Sequence, residues 1–328
     1  MAPRTIGIVA NPASGKDVRR LVARASVFDN REKCAIIRRA LSGAINAGGT
    51  RFAYLDDTHN IAGGALEELE ADCDAVKVPC LKTASVLDTI QGARDLQYED
   101  CIATLILGGD GTSRAFAKGW REATLLPLST GTNNVFPRFA EATVAGAALG
   151  VLAAGGVKPD EVVVPVKIID VDIEDEEPDI ALIDAVVTTD QFIGSKALLD
   201  GTAIERILLT RAEPLAVGMT SVGGLLRPLE EAEDAGLYLT LGSGGRHRIH
   251  APIAPGLYET LRIRKTRLVE FDEAVEFEGP CVLAFDGERE RVVQSGQRVS
   301  MRVSRSGPSV LDIQKTMQLA ADRKWFKK

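Results

Sequence analysis

The chain of 328 residues lacks several features that mark common functional classes. Basic residues are not in excess: 39 lysines and arginines against 46 acidic residues give a formal net charge of −7. Nucleic acids and anionic membranes require a concentrated basic surface, so this balance argues against either as the main partner, while a local basic pocket stays possible. The longest run of small apolar residues, Gly146 to Val157, is shorter than the ~20 residues that cross a bilayer. It favours a tightly packed helix, and we expect no stable membrane association.

Cysteine is scarce, and its spacing excludes two further classes. The cysteines form no CxxC pair and their number is odd, which argues against a disulfide framework and a cysteine-rich zinc site. The first apolar stretch, residues 5–10, is too short for the core of a signal peptide, so a reducing cytoplasm is the expected location. We expect every cysteine to be a buried small hydrophobic residue: Cys34, Cys73, Cys80, Cys101 and Cys281.

The length predicts about two domains, and the first half of the chain has the pattern of an α/β domain. Short apolar runs alternate with helical patterns such as Arg31 to Ala47. Strands that are apolar throughout and separated by helices indicate a parallel sheet covered on both faces. Residues 1–158 are therefore predicted to form an open, Rossmann-like α/β domain that binds ligands beyond the carboxyl ends of its strands. The predicted strands include Thr5–Ala10, Arg51–Leu55, Ala75–Pro79 and Ile102–Leu107.

The pattern changes near residue 158. The strand-like run Val162 to Ile169 is followed by an acidic turn, Glu174 to Pro178, which we interpret as a solvated hairpin. Short β-type runs separated by turns rich in glycine and proline then predict an antiparallel β-sandwich over residues 159–305. The last segment, 306–328, has helical character and is expected to pack back on the first domain. The short runs include Ile180–Val187, Leu237–Leu241, Leu261–Ile263, Cys281–Phe285 and Val299–Val303.

The strongest local motif is the glycine loop Leu107-Gly-Gly-Asp-Gly-Thr112, which follows a buried-looking strand and precedes a helical stretch from Arg114 to Trp120. Its glycines let the backbone approach a ligand, and amides at the helix N-terminus favour an anion such as phosphate. Asp110 can orient or deprotonate a hydroxyl group, or hold Mg²⁺. The alternative interpretation is a helix N-cap in a glycine turn. The candidate residues are Gly108, Gly109, Asp110, Gly111 and Thr112.

Two further polar loops are predicted at the same edge of the sheet. The loop after the next strand, Ser129 to Asn134, can hydrogen-bond a nucleotide or an acceptor alcohol, or simply cap a helix. The loop after the first strand, Asn11 to Lys16, can place amides and a lysine near phosphate. It is not a Walker A motif, because Ala10 and Asp17 break the required pattern, and the GxGxxG fingerprint is absent there too. The candidate nucleotide-binding residues are Asn11, Pro12, Ser14, Gly15, Lys16, Thr130, Gly131, Thr132, Asn133 and Asn134.

Motifs in the second half have plain structural interpretations. Phe285-Asp-Gly-Glu288 contains the Asp-Gly pair of a hairpin turn, and Gly242 to Gly245 is also interpreted as a hairpin turn. A basic turn, Arg246 to His250, can contact phosphate or be a solvated loop. The histidines show no metal-ligand pattern, and the GxSxG elbow of many hydrolases is absent.

Taken together, these motifs resemble the superfamily that contains NAD kinases, diacylglycerol kinases and sphingosine kinases. Within it, the chain is most similar to the acetoin-catabolism protein X group, often labelled ATP-NAD kinase-like. The resemblance implies an α/β domain, a C-terminal β-sandwich, and ATP-dependent phosphoryl transfer in the cleft between them, with ATP and Mg²⁺ as cofactors. It covers most of the chain and rests on four motifs in order: Asn11–Lys16, Gly108–Thr112, Thr130–Asn134 and Asp286–Glu288.

The resemblance implies different catalytic residues in its two main branches. In the NAD kinase branch, Asp110 takes the proton of the acceptor hydroxyl, and a later Asn-Glu or Asn-Asp pair helps hold the dinucleotide. Here Ile183 stands in place of that asparagine. In the lipid kinase branch, the glycine loop cradles ATP, and Glu288 or Asp286 serves as the base.

Three functional hypotheses follow. A kinase with NAD as its acceptor is the leading one, and a kinase for a lipid or another small polyol is the alternative. The third is a nucleotide-binding regulator of acetoin metabolism that has kept the fold without efficient turnover. The resemblance also implies a homo-oligomer, because NAD kinases are usually dimers or tetramers.

Overall fold

The computed structural model describes residues 3–15, 29–69, 73–130, 134–189 and 201–327, without the side chains of residues 288–290. Some predicted site residues lie outside this description: Lys16, Gly131, Thr132, Asn133 and the side chain of Glu288.

The first half of the chain forms a mostly parallel sheet, built on the apolar runs of the sequence. Its strands are β1 (Ile6–Ala10), β2 (Arg51–Leu55), β3 (Asp74–Val78), β4 (Ala103–Gly108), β5 (Thr124–Ser129), β6 (Val163–Pro165) and the late strand β18 (Ser309–Leu311). Among the described residues the order is β3-β2-β1-β4-β5-β18-β6, and only the pair of β18 with β6 is antiparallel.

Helices cover both faces of this sheet. Successive side chains of β4 point to opposite faces, so Leu105 joins a core with the helices Asn30–Asn46 and Ala142–Ala153. Ile106 joins a second core near the helices Val86–Tyr98 and Asp110–Gly119. Both faces are therefore apolar, as the uninterrupted strand runs predict. The helices are α1 (Asn30–Asn46), α2 (Ile61–Glu67), α3 (Val86–Tyr98), α4 (Asp110–Gly119), α5 (Ala142–Ala153) and α6 (Pro159–Val162).

Helices α1 and α5 pack against each other very closely. Asp29 caps α1 by accepting a hydrogen bond from the Glu32 amide at 2.7 Å. A Cβ atom at Gly146 of α5 would overlap the Ala40 carbonyl of α1. The small residues of the run from Gly146 therefore serve close helix packing, as the sequence predicts.

The second half of the chain is a β-sandwich. Its elements are β7 (Ile168–Ile173), β8 (Asp179–Ala181), β9 (Asp184–Thr188), the 3₁₀ turn Gly201–Ala203, β10 (Ile204–Leu209), α7 (Met219–Leu226), β11 (Ala235–Leu241), β12 (His247–Ala254), β13 (Leu257–Glu270), β14 (Val275–Glu278), β15 (Cys281–Phe285), β16 (Glu288–Val293) and β17 (Arg298–Ser304). The described strands form two antiparallel sheets, β12-β13-β11-β10-β9-β15-β16 and β14-β17-β7-β8. One core joins them, with Val171 and Val299 from one sheet and Val187 and Phe285 from the other. The predicted fold class is confirmed.

Two predicted strands are each divided between two sheets. The run Val162 to Ile169 contributes β6 to the first sheet and β7 to the sandwich. The run Ile180 to Val187 is divided at Leu182 and Ile183, where their amides bond a side chain instead of a neighbouring strand. Both parts of the run Ile180 to Val187 are buried, so its apolar pattern does not reveal the break, whereas β6 is largely exposed.

The last segment contains a strand before its helix. Strand β18 pairs in parallel with β5, and α8 (Ile313–Asp322) contacts α5 through the first core. The helical prediction for 306–328 missed β18, which is only three residues long. The domain boundaries at 158 and 305 stay predictions.

Several smaller predictions have different outcomes. The acidic turn joins the antiparallel strands β7 and β8, so the predicted hairpin is present, and its Glu174 forms an exposed ion pair with Arg298 at 2.8 Å. The described cysteines are free thiols, and Cys101 and Cys281 are buried. The prediction of full burial is wrong for Cys34, Cys73 and Cys80, which are half-buried.

Among the described helices, none has the length and apolar character needed to cross a bilayer.

Candidate active site

Three loops meet where the strand order of the first sheet changes direction. Strands β1 and β4 are neighbours in the sheet although two other strands separate them in the chain, and β5 lies beside β4. The amide of Asn11 donates to the carbonyl of Leu107 at 2.9 Å, and the amide of Thr130 donates to the carbonyl of Gly108 at 3.2 Å. Crevices at such a switch point are the usual ligand sites of open α/β sheets.

The glycine loop is the start of a helix. The sequence predicts a helix from Arg114, but α4 begins at Asp110, with Gly109 as its N-cap and no side-chain cap. A Cβ atom at Gly109 would lie 2.9 Å from Asn134 Oδ1. The first turn of α4 therefore has amides at the sheet edge, beside a position where a side chain would collide with the neighbouring loop.

Asp110 is buried and held by backbone amides. Its carboxylate accepts hydrogen bonds from the amides of Phe136 at 2.8 Å and Val135 at 3.1 Å. Burial raises the pKa of Asp110 to about 7, and the charge of Asp286 adds to this increase. The two amides and the charge of Arg211 act in the opposite direction. Asp110 is thus a carboxyl group that can exchange a proton near neutral pH.

Asp286 is the second buried carboxylate of the site, contributed by the β-sandwich. It stands in the two-residue turn between β15 and β16, where it and Gly287 have φ angles of 50° and 82°. The predicted hairpin is therefore present. Its carboxylate accepts bonds from the amides of Leu182, Ile183 and Asp184, at 2.7 Å for Ile183. Burial raises its pKa, against the charge of Arg114 and these amides.

The loop after β1 is tied to both other loops. Asn11 Nδ2 donates to Thr112 Oγ1 at 2.9 Å, and the hydroxyls of Ser14 and Thr130 lie 3.0 Å apart. Side-chain contacts thus connect the predicted motifs at 11–15, 108–112 and 130. Within the loop, Pro12 lies at a turn and Gly15 has a φ of 78°, a left-handed conformation that glycine adopts readily.

The loop after β5 closes over the glycine loop. Asn134 Nδ2 donates to Ser129 Oγ at 2.8 Å, which places the asparagine oxygen beside Gly109. Gly108 allows the Thr112 side chain to pack against its backbone, and Gly111 follows Asp110 in the first turn of α4. The described members of all three predicted loops therefore lie together.

Sequence reasoning missed Lys33. Its side chain is fully buried, and its ammonium donates to the carbonyls of Asn11 and Ser14 at 2.8 Å and of Pro12 at 3.2 Å. A signal was present: the apolar face of α1 includes Ile36, Ile37, Ala40 and Leu41, and the helical repeat puts residue 33 on that same face.

Two buried arginines were also missed. Arg114 of α4 donates to Asp179 Oδ1 at 2.7 Å and to the Ile180 carbonyl at 2.5 Å, which joins the first domain to β8. Arg211 follows β10 and lies over the ring of Phe136 at 5.8 Å, close enough to Asp110 to lower its pKa. Both contacts span large sequence separations, so no local pattern reveals them.

The described residues contain no group of three or more histidine, cysteine or acidic side chains that could hold a metal ion. Asp110 and Asp286 supply two carboxylates. Such a set does not enclose Mg²⁺, but it fits an ion that is bound mainly by the phosphates of a nucleotide.

Comparison with known proteins identifies the family. Acetoin catabolism protein X of Cupriavidus necator is 32% identical over 301 residues, which cover 87% of this chain and 83% of that protein. A family model for the C-terminal domain of acetoin catabolism protein X matches residues 167–306. The chain belongs to the acetoin catabolism protein X family.

Solved structures show that this family member shares its fold with kinases. A yeast NADH kinase complexed with NADH has a TM-score of 0.54 and 11% identity, over 100% of this chain and 89% of that one. A putative diacylglycerol kinase from Bacillus anthracis has a TM-score of 0.52 and 10% identity, over 95% and 99%. Identities this low establish a shared fold alone, whereas the predicted likeness to the acetoin-catabolism protein X group is confirmed by the 32% identical relative.

Ile183 has a structural role in this acetoin catabolism protein X relative. Its side chain is 1% exposed within the second core, and its amide bonds Asp286. At this position the chain presents a backbone amide to a carboxylate, and an apolar side chain to the core.

Proposed function

We propose that this protein is a phosphotransferase that transfers the γ-phosphoryl group of ATP to a hydroxyl group of a small acceptor, with NAD as the leading acceptor. The observation that carries this proposal is the placement of Asp110. A buried carboxyl group with a pKa of about 7 stands in the first turn of α4, within the glycine loop at the switch point of the sheet. The kinase-like fold supports the same reading.

In the proposed reaction, phosphates bind at the edge where α4 begins. The amides of its first turn face the anion, and Gly109 keeps the approach open. Asp110 accepts the proton of the acceptor hydroxyl while the hydroxyl oxygen bonds to the γ-phosphorus. The bond from that phosphorus to the β–γ bridging oxygen breaks, and ADP leaves. Mg²⁺ bound to the nucleotide would neutralise charge on the transferred group.

One observation favours the second candidate, a kinase for a lipid or another polyol. The buried side chain of Ile183 has no amide group with which to hold a dinucleotide. The base in that case is Asp286 or Glu288. The amides of Leu182, Ile183 and Asp184 hold the Asp286 carboxylate, as those of Val135 and Phe136 hold the carboxylate of Asp110.

The test is formation of ADP from Mg-ATP by variants of near-equal shape. Asp110→Asn is expected to lower the rate at least ~100-fold, the usual contribution of a general base. Asp74→Asn is the matched control, because Asp74 is exposed on the edge strand β3 and its loss leaves the rate unchanged.

Two further variants separate the candidates. Loss of activity in Glu288→Gln, with full activity in Asp110→Asn, would show that the base is Glu288, as in the lipid kinase branch, and not Asp110. If wild-type protein binds ATP yet forms no ADP with any hydroxyl acceptor, the protein is a nucleotide-binding regulator and the phosphotransferase proposal is wrong.

A further inference from the structure

A basic surface lies at the β12 edge of the seven-stranded sheet of the β-sandwich, on a protein whose net charge is −7. The stretch from residue 246 to residue 266 contains five arginines or lysines and a single acidic residue, Glu259. Strands β12 and β13 pair within this stretch, and register places Arg248 directly opposite Arg262. Like charges in such a pair destabilise a sheet, so a bound anion would relieve an existing repulsion.

The cations of this surface have no acidic partner among the residues that the structure describes. Within the described residues, none of them forms an ion pair or side-chain hydrogen bond, whereas arginines elsewhere pair repeatedly, as Arg121 does with Asp170 and Arg298 with Glu174. All are exposed, so they are available to a ligand from solvent. The set consists of Arg227, Arg246, Arg248, Arg262, Arg264 and Lys265.

The glycine-rich turn at 242–245 makes room for one of these cations. A Cβ atom at Gly242 would lie 2.6 Å from the guanidinium of Arg264, so the arginine packs directly over the turn backbone. At Gly245 a Cβ atom would lie 2.7 Å from the backbone of Arg262. Residues 242–245 form a turn, but the hairpin prediction is wrong, because β13 lies between β11 and β12 in the sheet. The backbone of this turn packs against the Arg264 side chain.

A groove of about 360 Å³ opens beside Arg264. The end of α7 forms one side, and β12 and β13 form the other. Its lining residues are Leu226, Arg227, His247, Arg264, Lys265 and Thr266. The volume lies at the lower end of the range for small-molecule sites, and three of the lining side chains are cations.

We propose that this groove binds a soluble phosphate compound carrying at least two negative charges, such as a pyrophosphate or a phosphate ester. Paired cations on a concave surface match adjacent phosphate groups, and the Arg264 guanidinium presents donors for bidentate bonds. A membrane or a nucleic acid fits less well, because the remaining surface of this acidic protein would repel either polyanion. The groove shares no residue with the glycine loop, so this site is separate from the proposed active site.

Calorimetric titration with inorganic pyrophosphate tests the site. A Gly109→Val background removes competing binding at the glycine loop. In that background we expect pyrophosphate to bind one site, with an affinity about tenfold weaker after Arg264→Gln or Lys265→Gln. Arg94→Gln, a matched change at an exposed arginine on α3, leaves the affinity unchanged. If the background variant does not fold, wild-type protein is titrated instead, and Arg264→Gln is expected to weaken one of its pyrophosphate sites about tenfold.

The outcomes separate the possible ligands. Equal pyrophosphate affinity in Arg264→Gln and in its parent would overturn the proposal. So would binding of single-stranded RNA, or of phosphatidylglycerol vesicles, without binding of pyrophosphate. Because the readout is binding rather than turnover, loss of phosphotransferase activity elsewhere does not affect it.

Discussion

At the scale of single residues, Asp110 has the environment of a general base. The residue is 8% exposed and stands at the N-terminus of a helix that faces the sheet edge, and its carboxylate accepts bonds from two amides. Burial is the main cause of its raised pKa, with Asp286 contributing. A surface carboxylate would be a much weaker base at neutral pH, because its pKa lies near 4.

The raised pKa of Asp110 predicts how activity depends on pH. Only the ionised carboxylate accepts a proton, so kcat/KM for ADP formation should rise about tenfold per pH unit below about 7 and level off above it. Initial rates between pH 5.5 and 8.5 at saturating Mg²⁺ measure this profile. The residual activity of Asp110→Asn should lose the rise. A wild-type rate that is independent of pH in this range would exclude Asp110 as the base.

The position of Gly109 predicts that a side chain in the glycine loop would weaken ATP binding. In Gly109→Val the Cβ atom meets Asn134 Oδ1 and occupies the space that a phosphate requires. We expect ATP affinity to fall at least tenfold, about 1.4 kcal/mol, while the circular dichroism spectrum stays unchanged. Gly155→Val is the control, because Gly155 has no neighbour within 4 Å, although its φ of 80° adds local strain there. ATP affinity equal to wild type would refute the phosphate-loop interpretation.

At the scale of elements, Lys33 connects helix α1 to the loop after β1. Removal of its ammonium in Lys33→Met takes one donor from each of three carbonyls of that loop, and the Asn11 carbonyl still accepts a bond from the Ser14 hydroxyl. We expect a loss of about 2–4 kcal/mol in the free energy of unfolding, together with weaker ATP binding. Urea titrations and calorimetry measure the two effects. Lys315→Met, at an exposed position of α8, should change stability by less than about 0.5 kcal/mol.

The elements that the sequence predicts well are those with a strong local signal. Strands β1, β4 and β15 are fully buried apolar runs, and the predicted and observed bounds differ by no more than a residue. The position of the three loops also follows from sequence, because the carboxyl ends of parallel strands share one edge.

Other elements depend on contacts that no local pattern contains. Helix α4 begins four residues earlier than predicted, because glycines disfavour a helix while the amides at 135 and 136 hold Asp110 in its first turn. Helix α7 escaped prediction for the same reason, since it includes Gly223 and Gly224, which give it close packing on β10 and its following loop. The helix propensity of a segment predicts its structure poorly wherever tertiary contacts select the conformation.

At the scale of the whole molecule, the two halves are joined through Asp179. This carboxylate is buried under Arg114 and Lys118 of α4 and Arg291 of β16. Burial acts to raise its pKa, but the charge of Arg114 and the contact with Lys118 outweigh that effect and lower it. The helix that carries Asp110 is therefore attached to the β-sandwich by charge-assisted hydrogen bonds.

This connection predicts coupling between the halves. Asp179→Asn should lower the free energy of unfolding by about 3 kcal/mol, because it removes the charged carboxylate that buried Arg114 binds. Arg114→Met should cost less, because Lys118 and Arg291 still pair with Asp179. The double variant should lose clearly less than the sum of the two. Urea unfolding of all four proteins measures this cycle, and strictly additive losses would show that the pair does not couple α4 to the sandwich.

The most direct test of the central claim is the formation of ADP from Mg-ATP by purified protein, with and without NAD, followed by detection of NADP. The proposed function predicts that NADP and ADP form only when NAD is present, and that Asp110→Asn forms neither. Bound ATP with no NADP would contradict NAD as the acceptor and direct the search to other hydroxyl compounds. No ADP with any acceptor would contradict phosphoryl transfer itself.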